Sequence, residues 1–108
     1  MEYGYARVAS HETGYEEALQ HQADYLRKWG AKEVYKEQGG GFGELPILHT
    51  LLMKLQKGDK LIVRDLSRLT RDIYKCNSIL TDLHERGVDC VAIRDRFILS
   101  RDYGWLGL

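Results

Sequence analysis

The sequence predicts a single α/β domain, a three-layer α/β/α arrangement with a mostly parallel central sheet. Strand-like and helix-like segments alternate along its 108 residues, and this alternation favours a parallel sheet with right-handed crossovers. The third and fourth strand segments have nearly continuous apolar centres, typical of strands covered on both faces. A chain of this length has room for one core.

Four strands are expected where aromatic, β-branched or apolar residues cluster: residues 3–8, 33–35, 60–64 and 88–93. Between them lie three segments with apolar residues at helical spacing, each followed by a glycine suited to a helix end. Those glycines are Gly30, Gly58 and Gly87. Thr13 and Glu16 form a T-x-x-E capping box that predicts the start of the first helix. Pro46 suits the first turn of the second helix, and the third helix is expected from about Ile73, with Ile73 facing inward.

Composition excludes several classes of protein. The sequence has 16 Lys and Arg against 16 Asp and Glu, so its formal net charge is zero, which argues against a strong freestanding nucleic-acid binder. It shows neither a transmembrane segment nor a secretory signal. Cys76 and Cys90 are too few for a disulfide framework and lack metal-ligand spacing. We therefore expect a cytoplasmic protein with no metal site.

Candidate chemistry lies where two strands end. Arg7 and Ser10 stand at the end of the first strand, while Arg68 and Arg71 follow the third. Function in a parallel sheet sits beyond the carboxyl ends of its strands. Three guanidinium groups around a hydroxyl suit phosphoryl chemistry, because the cations stabilise transition-state charge and a serine can be the covalent nucleophile. The alternative is that Arg68 and Arg71 are solvated charges at a helix start.

Motifs along nearly the whole chain carry a family resemblance. They include Tyr5-Ala6-Arg7-Val8, Val34-Tyr35-Lys36-Glu37, Leu45-Pro46-Ile47-Leu48, Gly58-Asp59-Lys60-Leu61-Ile62-Val63 and Asp65-Leu66-Ser67-Arg68-Leu69-Thr70-Arg71-Asp72. In this order the segments resemble the catalytic domain of serine recombinases, the resolvase/invertase family.

The resemblance implies DNA strand exchange through a phosphoserine link, without metal or nucleotide cofactor. Arg7, Arg68 and Arg71 would bind the scissile DNA phosphate. Supporting roles would fall to Gln22, Glu37 and Ser67, with Glu37 matching an acidic residue often associated with orienting an arginine. The implied partners are DNA and further copies of the chain in a dimer or tetramer, with no membrane or nucleotide. The setting implied is a transposon or phage element.

Three positions depart from the family pattern. The family's nucleophilic serine directly follows Arg-Val, where this chain has Ala9, and Ser10 comes one residue later. A shift of one residue reverses the side chain in an extended strand, although a local bulge could re-aim it. Leu45 stands before Pro46 where members often place an arginine. Ser67 replaces an aspartate found in many members, as in the larger recombinases.

The end of the sequence predicts a change of structure. Residues 100–106 resemble the start of the long helix that follows the core sheet in this family, forms the dimer interface and leads to a DNA-binding domain. We therefore expect one resolvase-like domain over residues 1–108, ending as that helix begins, with no DNA-binding domain. An uncovered apolar helix start would make residues 97–108 a site of weak self-association.

Two functions stay open. One is an active recombinase domain; the other is a truncated or non-catalytic relative that binds or regulates a recombinase partner. A receiver-like domain lacks support, because no acidic cluster is expected at the strand ends to hold Mg²⁺. The glycine-rich loop at residues 38–43 lacks the G-K-[ST] ending of nucleotide-binding loops.

Overall fold

A six-stranded sheet forms the centre of the computed structural model, which describes residues 1–9, 13–40, 43–100 and 104–107. In chain order the elements are β1 (Glu2–Val8), α1 (Tyr15–Lys28), β2 (Glu33–Gln38), α2 (Pro46–Lys54), β3 (Lys60–Val63), a 3₁₀ helix (Leu66–Arg68), α3 (Ile73–Glu85), β4 (Asp89–Ala92), β5 (Phe97–Ser100) and β6 (Gly104–Gly107). The sheet order is β2-β1-β3-β4-β5-β6. The first four strands are parallel, and β5 and β6 are antiparallel to their neighbours. The predicted fold class is confirmed.

Two apolar clusters show that the sheet is covered on both faces. Tyr5, Leu61 and Val63 pack with the leucines of α2 and α3. Ala6 and Ile62, their neighbours in the strands, point the other way and pack with α1. Because strand side chains alternate between faces, the central strands need apolar residues at successive positions. This is the source of the continuous apolar runs in the sequence.

Two helix ends follow the prediction, but one helix end and two details at helix starts are wrong. Gly30 and Gly87, with positive φ angles of 107° and 74°, follow the ends of α1 and α3, and Pro46 opens α2. The second helix ends at Lys54, with Leu55 extended, so Gly58 (φ 95°) belongs to the turn before β3 and does not end the helix. The predicted capping box does not form, because α1 begins after Gly14 (φ 73°) and its cap has no side-chain hydrogen bond. Ile73, expected to face inward, is 76% exposed because it is the first residue of α3.

The predicted helix start at residues 100–106 is wrong wherever the structure describes this segment. Residues 97–100 form β5, which pairs antiparallel with β4, and Gly104–Gly107 forms β6. Two glycines within four residues disfavour a helix. Residues 101–103 and 108 lie outside the described residues, and self-association through residues 97–108 stays a prediction. No helix in the described part of the chain is long and apolar enough to cross a membrane.

Candidate active site

Arg7 connects three segments at the carboxyl end of the sheet. Its guanidinium donates from Nε to the carbonyl oxygen of Arg68 (2.8 Å), from one terminal nitrogen to that of Gly39 (2.7 Å) and from the other to that of Ser67 (2.5 Å). The residue is only 3% exposed. The hydrogen bonds of Arg7 therefore connect the end of β1 to the loop after β2 and to the 3₁₀ helix after β3.

The side chain of Gln22 bonds to both polar groups of the Arg7 backbone. Its side-chain oxygen accepts from the Arg7 amide (3.0 Å), and its side-chain nitrogen donates to the Arg7 carbonyl (3.2 Å). The β1–β3 pairing ends at Tyr5 opposite Val63, so two residues later the backbone groups on that side of β1 need another partner. The buried side-chain amide of Gln22, on α1, therefore makes the hydrogen bonds that a neighbouring strand would otherwise make.

Arg68 lies against the end of β1 and beside a carboxylate. One terminal nitrogen of its guanidinium donates to the carbonyl of Arg7 (2.8 Å), and its Nε lies 3.5 Å from Asp65 Oδ2. The Asp65 carboxylate also accepts from Arg64 Nε (3.2 Å) and from the Ser67 hydroxyl. Partial burial opposes ionisation of Asp65, but the hydrogen bond from Ser67 and the charges of Arg68 and Arg64 outweigh it, so the pKa of Asp65 lies below its usual range.

The three arginines predicted for the site come together at one rim. Burial lowers the pKa of Arg7, and the nearby charges of Arg68 and Arg71 lower it further. Arg71 is exposed, just before the Asp72 cap of α3. Tyr5 and Asp65 oppose part of this lowering of the Arg7 pKa. Anion binding at this rim, which would relieve the repulsion between the guanidinium groups, stays a prediction.

Glu37 is buried, but it supports the fold differently from the expectation drawn from the family. Its carboxylate accepts from the Tyr5 hydroxyl (2.6 Å) and from the amides of Ile47 (2.8 Å) and Leu48 (3.0 Å) at the start of α2. Burial and Glu37 raise the pKa of Tyr5 far above its usual value. The ion pairs of the described residues include none between Glu37 and an arginine. The carboxylate fixes the position of α2 relative to β1 and β2.

The nucleophile position is partly described. Ala9 follows the last residue of β1 and is half-buried, while Ser10, the predicted substitute nucleophile, lies outside the described residues. Leu45, found where the family often has an arginine, directly precedes α2. Among the described residues, no three His, Cys, Asp or Glu side chains are grouped so that they could hold a metal ion.

Sequence reasoning missed Asp65 and the carbonyl partners of Arg7. Asp65 could have been found from the D-x-S-R spacing. Asp65 directly precedes the 3₁₀ helix, whose tight turn places the carboxylate beside Ser67 and Arg68. The carbonyl partners leave no signal in the sequence, since they are backbone atoms brought together only by the fold.

The family model for the resolvase N-terminal domain matches residues 2–106. The chain belongs to the resolvase family. Among its curated relatives are the protein uvp1 of Escherichia coli, 35% identical over 103 residues, and the serine recombinase gin of Escherichia phage Mu, 31% identical over 102 residues. These alignments cover 90% and 94% of this chain and 50% of each relative, so the chain spans about half their length.

Two solved structures have the same fold. The catalytic domain of IS1535 TnpA, an IS607-like serine recombinase, aligns with a TM-score of 0.69 at 26% identity, covering 85% of this chain and 70% of that one. The first open reading frame of transposon ISC1904 from Sulfolobus solfataricus P2 aligns with a TM-score of 0.66 at 19% identity, covering 85% and 66%. The second likeness shows the fold alone.

Proposed function

We propose that this resolvase-family chain takes part in site-specific DNA recombination as the catalytic-domain part of a serine recombinase. The observation that carries the proposal is the direct link between Arg7 and Arg68 at the carboxyl end of the sheet, with Arg71 beside them. Arginines held in this way suit a DNA phosphate, because guanidinium groups bind phosphate oxygens in pairs and stay charged at every relevant pH.

The geometry favours different roles for the three arginines. Three donors of Arg7 are occupied by backbone carbonyls, so Arg7 positions the backbone of Ser67 and Arg68 and contributes positive potential. Arg68 and Arg71 contact the phosphate itself, with Arg71 reaching it from the exposed start of α3. The transition state of phosphoryl transfer carries its charge on equatorial oxygens, and fixed cations stabilise that charge without reorganisation.

A second candidate is a non-catalytic role, and Ala9 is the observation that favours it. In the phosphoserine mechanism a serine Oγ–phosphorus bond forms as a phosphorus–deoxyribose oxygen bond breaks, and alanine has no oxygen to supply. If Ser10 does not replace it, the chain binds DNA or a recombinase partner without cleaving DNA. In either role we propose that the protein acts in the cytoplasm as part of a dimer or tetramer.

The test joins residues 1–108 to the remaining half of the phage Mu recombinase and assays cleavage of plasmids that carry the sites of that recombinase. Three chains are compared: unchanged, Ala9→Ser and Ser10→Ala. Activity of the unchanged chain that is lost in Ser10→Ala identifies Ser10 as the nucleophile. Activity only with Ala9→Ser means that the arginine site is competent and the nucleophile is missing. If all three are inactive but the native Mu protein cleaves, the catalytic proposal is wrong and the binding role is favoured.

A further inference from the structure

We infer that the turn between β4 and β5, residues 93–96, is a second DNA-phosphate contact that extends the arginine site along one DNA strand. The inference rests on the proposed function and adds a surface to it. The turn carries Arg94 and Arg96, both exposed.

The turn is attached to the same segment that carries Arg68. The Arg94 amide donates to the Arg64 carbonyl (2.7 Å), and Asp95 Oδ2 accepts from the Leu66 amide (2.7 Å). Leu66 is the first residue of the 3₁₀ helix that ends at Arg68. The arginines of the turn are therefore held in a fixed relation to the candidate site.

Sheet order places the basic side chains in a row. β1, β3 and β4 are adjacent, and Arg7, Arg64 and Arg94 lie at or just beyond their carboxyl ends. Neighbouring strands are about 4.8 Å apart, so the three ends span about 10 Å. Arg7 is buried with its donors on backbone carbonyls, and Arg64 bonds to Asp65, so both contribute positive potential. Arg94 is the exposed member of the row and would contact a phosphate next to the one bound at Arg68 and Arg71.

Arginines outnumber carboxylates at these strand ends, although the whole chain is neutral. The described residues 7–9, 64–72 and 93–96 contain six arginines and three aspartates. Asp65 is bonded to Arg64 and Ser67, and Asp95 accepts from a backbone amide. Both carboxylates act within the fold. The exposed side chains of Arg94 and Arg96 therefore face solvent with a net positive potential, which attracts a polyanion.

The backbone at Arg96 adds an independent observation. Arg96 has a φ angle of 53°, and among the described residues it is the only one other than glycine with a positive φ. A left-handed conformation costs free energy for a residue with a Cβ, and glycine would adopt it without that cost. Strain retained for a charged, exposed side chain is expected where the side chain serves function.

The test measures binding of the chain to a short fluorescent DNA duplex by anisotropy at 50 and 200 mM salt. The variant Arg94→Gln/Arg96→Gln removes both charges of the turn, and Lys32→Gln/Lys57→Gln is the matched control with the same charge change near the opposite end of the sheet. Each lost phosphate contact lowers the salt slope by about 0.9. The ratio of the DNA affinity of the wild type to that of the turn variant should fall about tenfold between the two salt concentrations. The control should keep the salt slope of the wild type.

Two single variants separate charge from structure. Arg96→Gly should weaken DNA binding without lowering the midpoint of thermal unfolding, because it relieves the backbone, and Arg96→Lys should retain binding. This inference would be overturned if the turn variant and the control lost DNA affinity equally, or if the turn variant bound DNA as the wild type does. Neither result would affect the proposed function. Failure of the wild-type chain to bind DNA at 50 mM salt would also overturn this inference, and the cleavage test then decides the proposed function by itself.

Discussion

The amide of Gln22 replaces a missing β-strand neighbour, and removing it should measurably destabilise the domain. In Gln22→Met the side chain keeps a similar length but cannot bond to the Arg7 backbone. The Arg7 carbonyl still accepts from Arg68, at 2.8 Å, whereas the Arg7 amide loses the bond it makes to Gln22. A buried donor left without a partner costs about 1–3 kcal/mol. We expect a loss of about 2 kcal/mol, which lowers the unfolding midpoint of a domain of this size by about 10 °C.

The matched control is Gln20→Met on the same helix. Gln20 also bonds through its side chain, to Asp24 and Lys36 at 2.8 Å each, but these bonds are exposed. Its replacement should change the free energy of unfolding by no more than about 0.5 kcal/mol. Urea unfolding followed by circular dichroism measures both variants. If Gln22→Met and Gln20→Met unfold at the same midpoint, the buried amide does not hold β1 as argued.

Three further substitutions test the fold around the site. Glu37→Gln should cost about 2–4 kcal/mol, because an amide cannot accept all three hydrogen bonds that the carboxylate accepts; the exposed Glu33→Gln is its control, and equal unfolding midpoints would contradict the role. Asp65 has a depressed pKa in the folded state, so its stabilisation is full above the ordinary aspartate pKa of about 3.9 and is lost as the pH falls through the lower folded value. The stability difference between wild type and Asp65→Asn should therefore shrink below about pH 4 in an unfolding series, and a difference that grows there would reverse the sign. Gly4→Ala should destabilise, because the new Cβ would lie 3.0 Å from that of Ala31; an unchanged melting temperature would mean that α1 can shift to accept it.

The sheet and helices were predictable because their signals are local. Alternating side chains, apolar spacing, Pro46 and the glycines at helix ends each act within a few residues of chain. The same reasoning explains why the four parallel strands were found, whereas their order in the sheet was not predicted. The C-terminal strands were missed because the family resemblance outweighed a local signal, the two glycines Gly104 and Gly107.

The bonding of the site could not be predicted in the same way. The sequence placed Arg7 and Arg68 at the ends of the first and third strands, but their bonds go to backbone carbonyls, which have no identity in a sequence. Gln22 and Glu37 were expected to support the site through the family resemblance. Their actual partners, the Arg7 backbone and the start of α2, depend on where the pairing of β1 with β3 ends and on how α2 packs.

Substitution of Arg7 should lower the stability of the domain, whereas substitution of Arg71 should weaken DNA binding. Arg7 is buried with three carbonyl partners, so the fold requires it whether or not the chain cleaves DNA. Arg71 is exposed at the same rim. Arg7→Met should cost about 3 kcal/mol or more, since charge-assisted bonds contribute about 1.5–3 kcal/mol each and its removal orphans three carbonyls. Arg71→Gln should leave the unfolding midpoint within about 2 °C, consistent with the small effect of surface changes, and weaken binding to a DNA duplex. Thermal unfolding and anisotropy on the same two variants measure both effects. An Arg71→Gln variant that loses stability but binds DNA as the wild type does would place Arg71 in the framework, and would leave Arg68 as the phosphate contact at this rim.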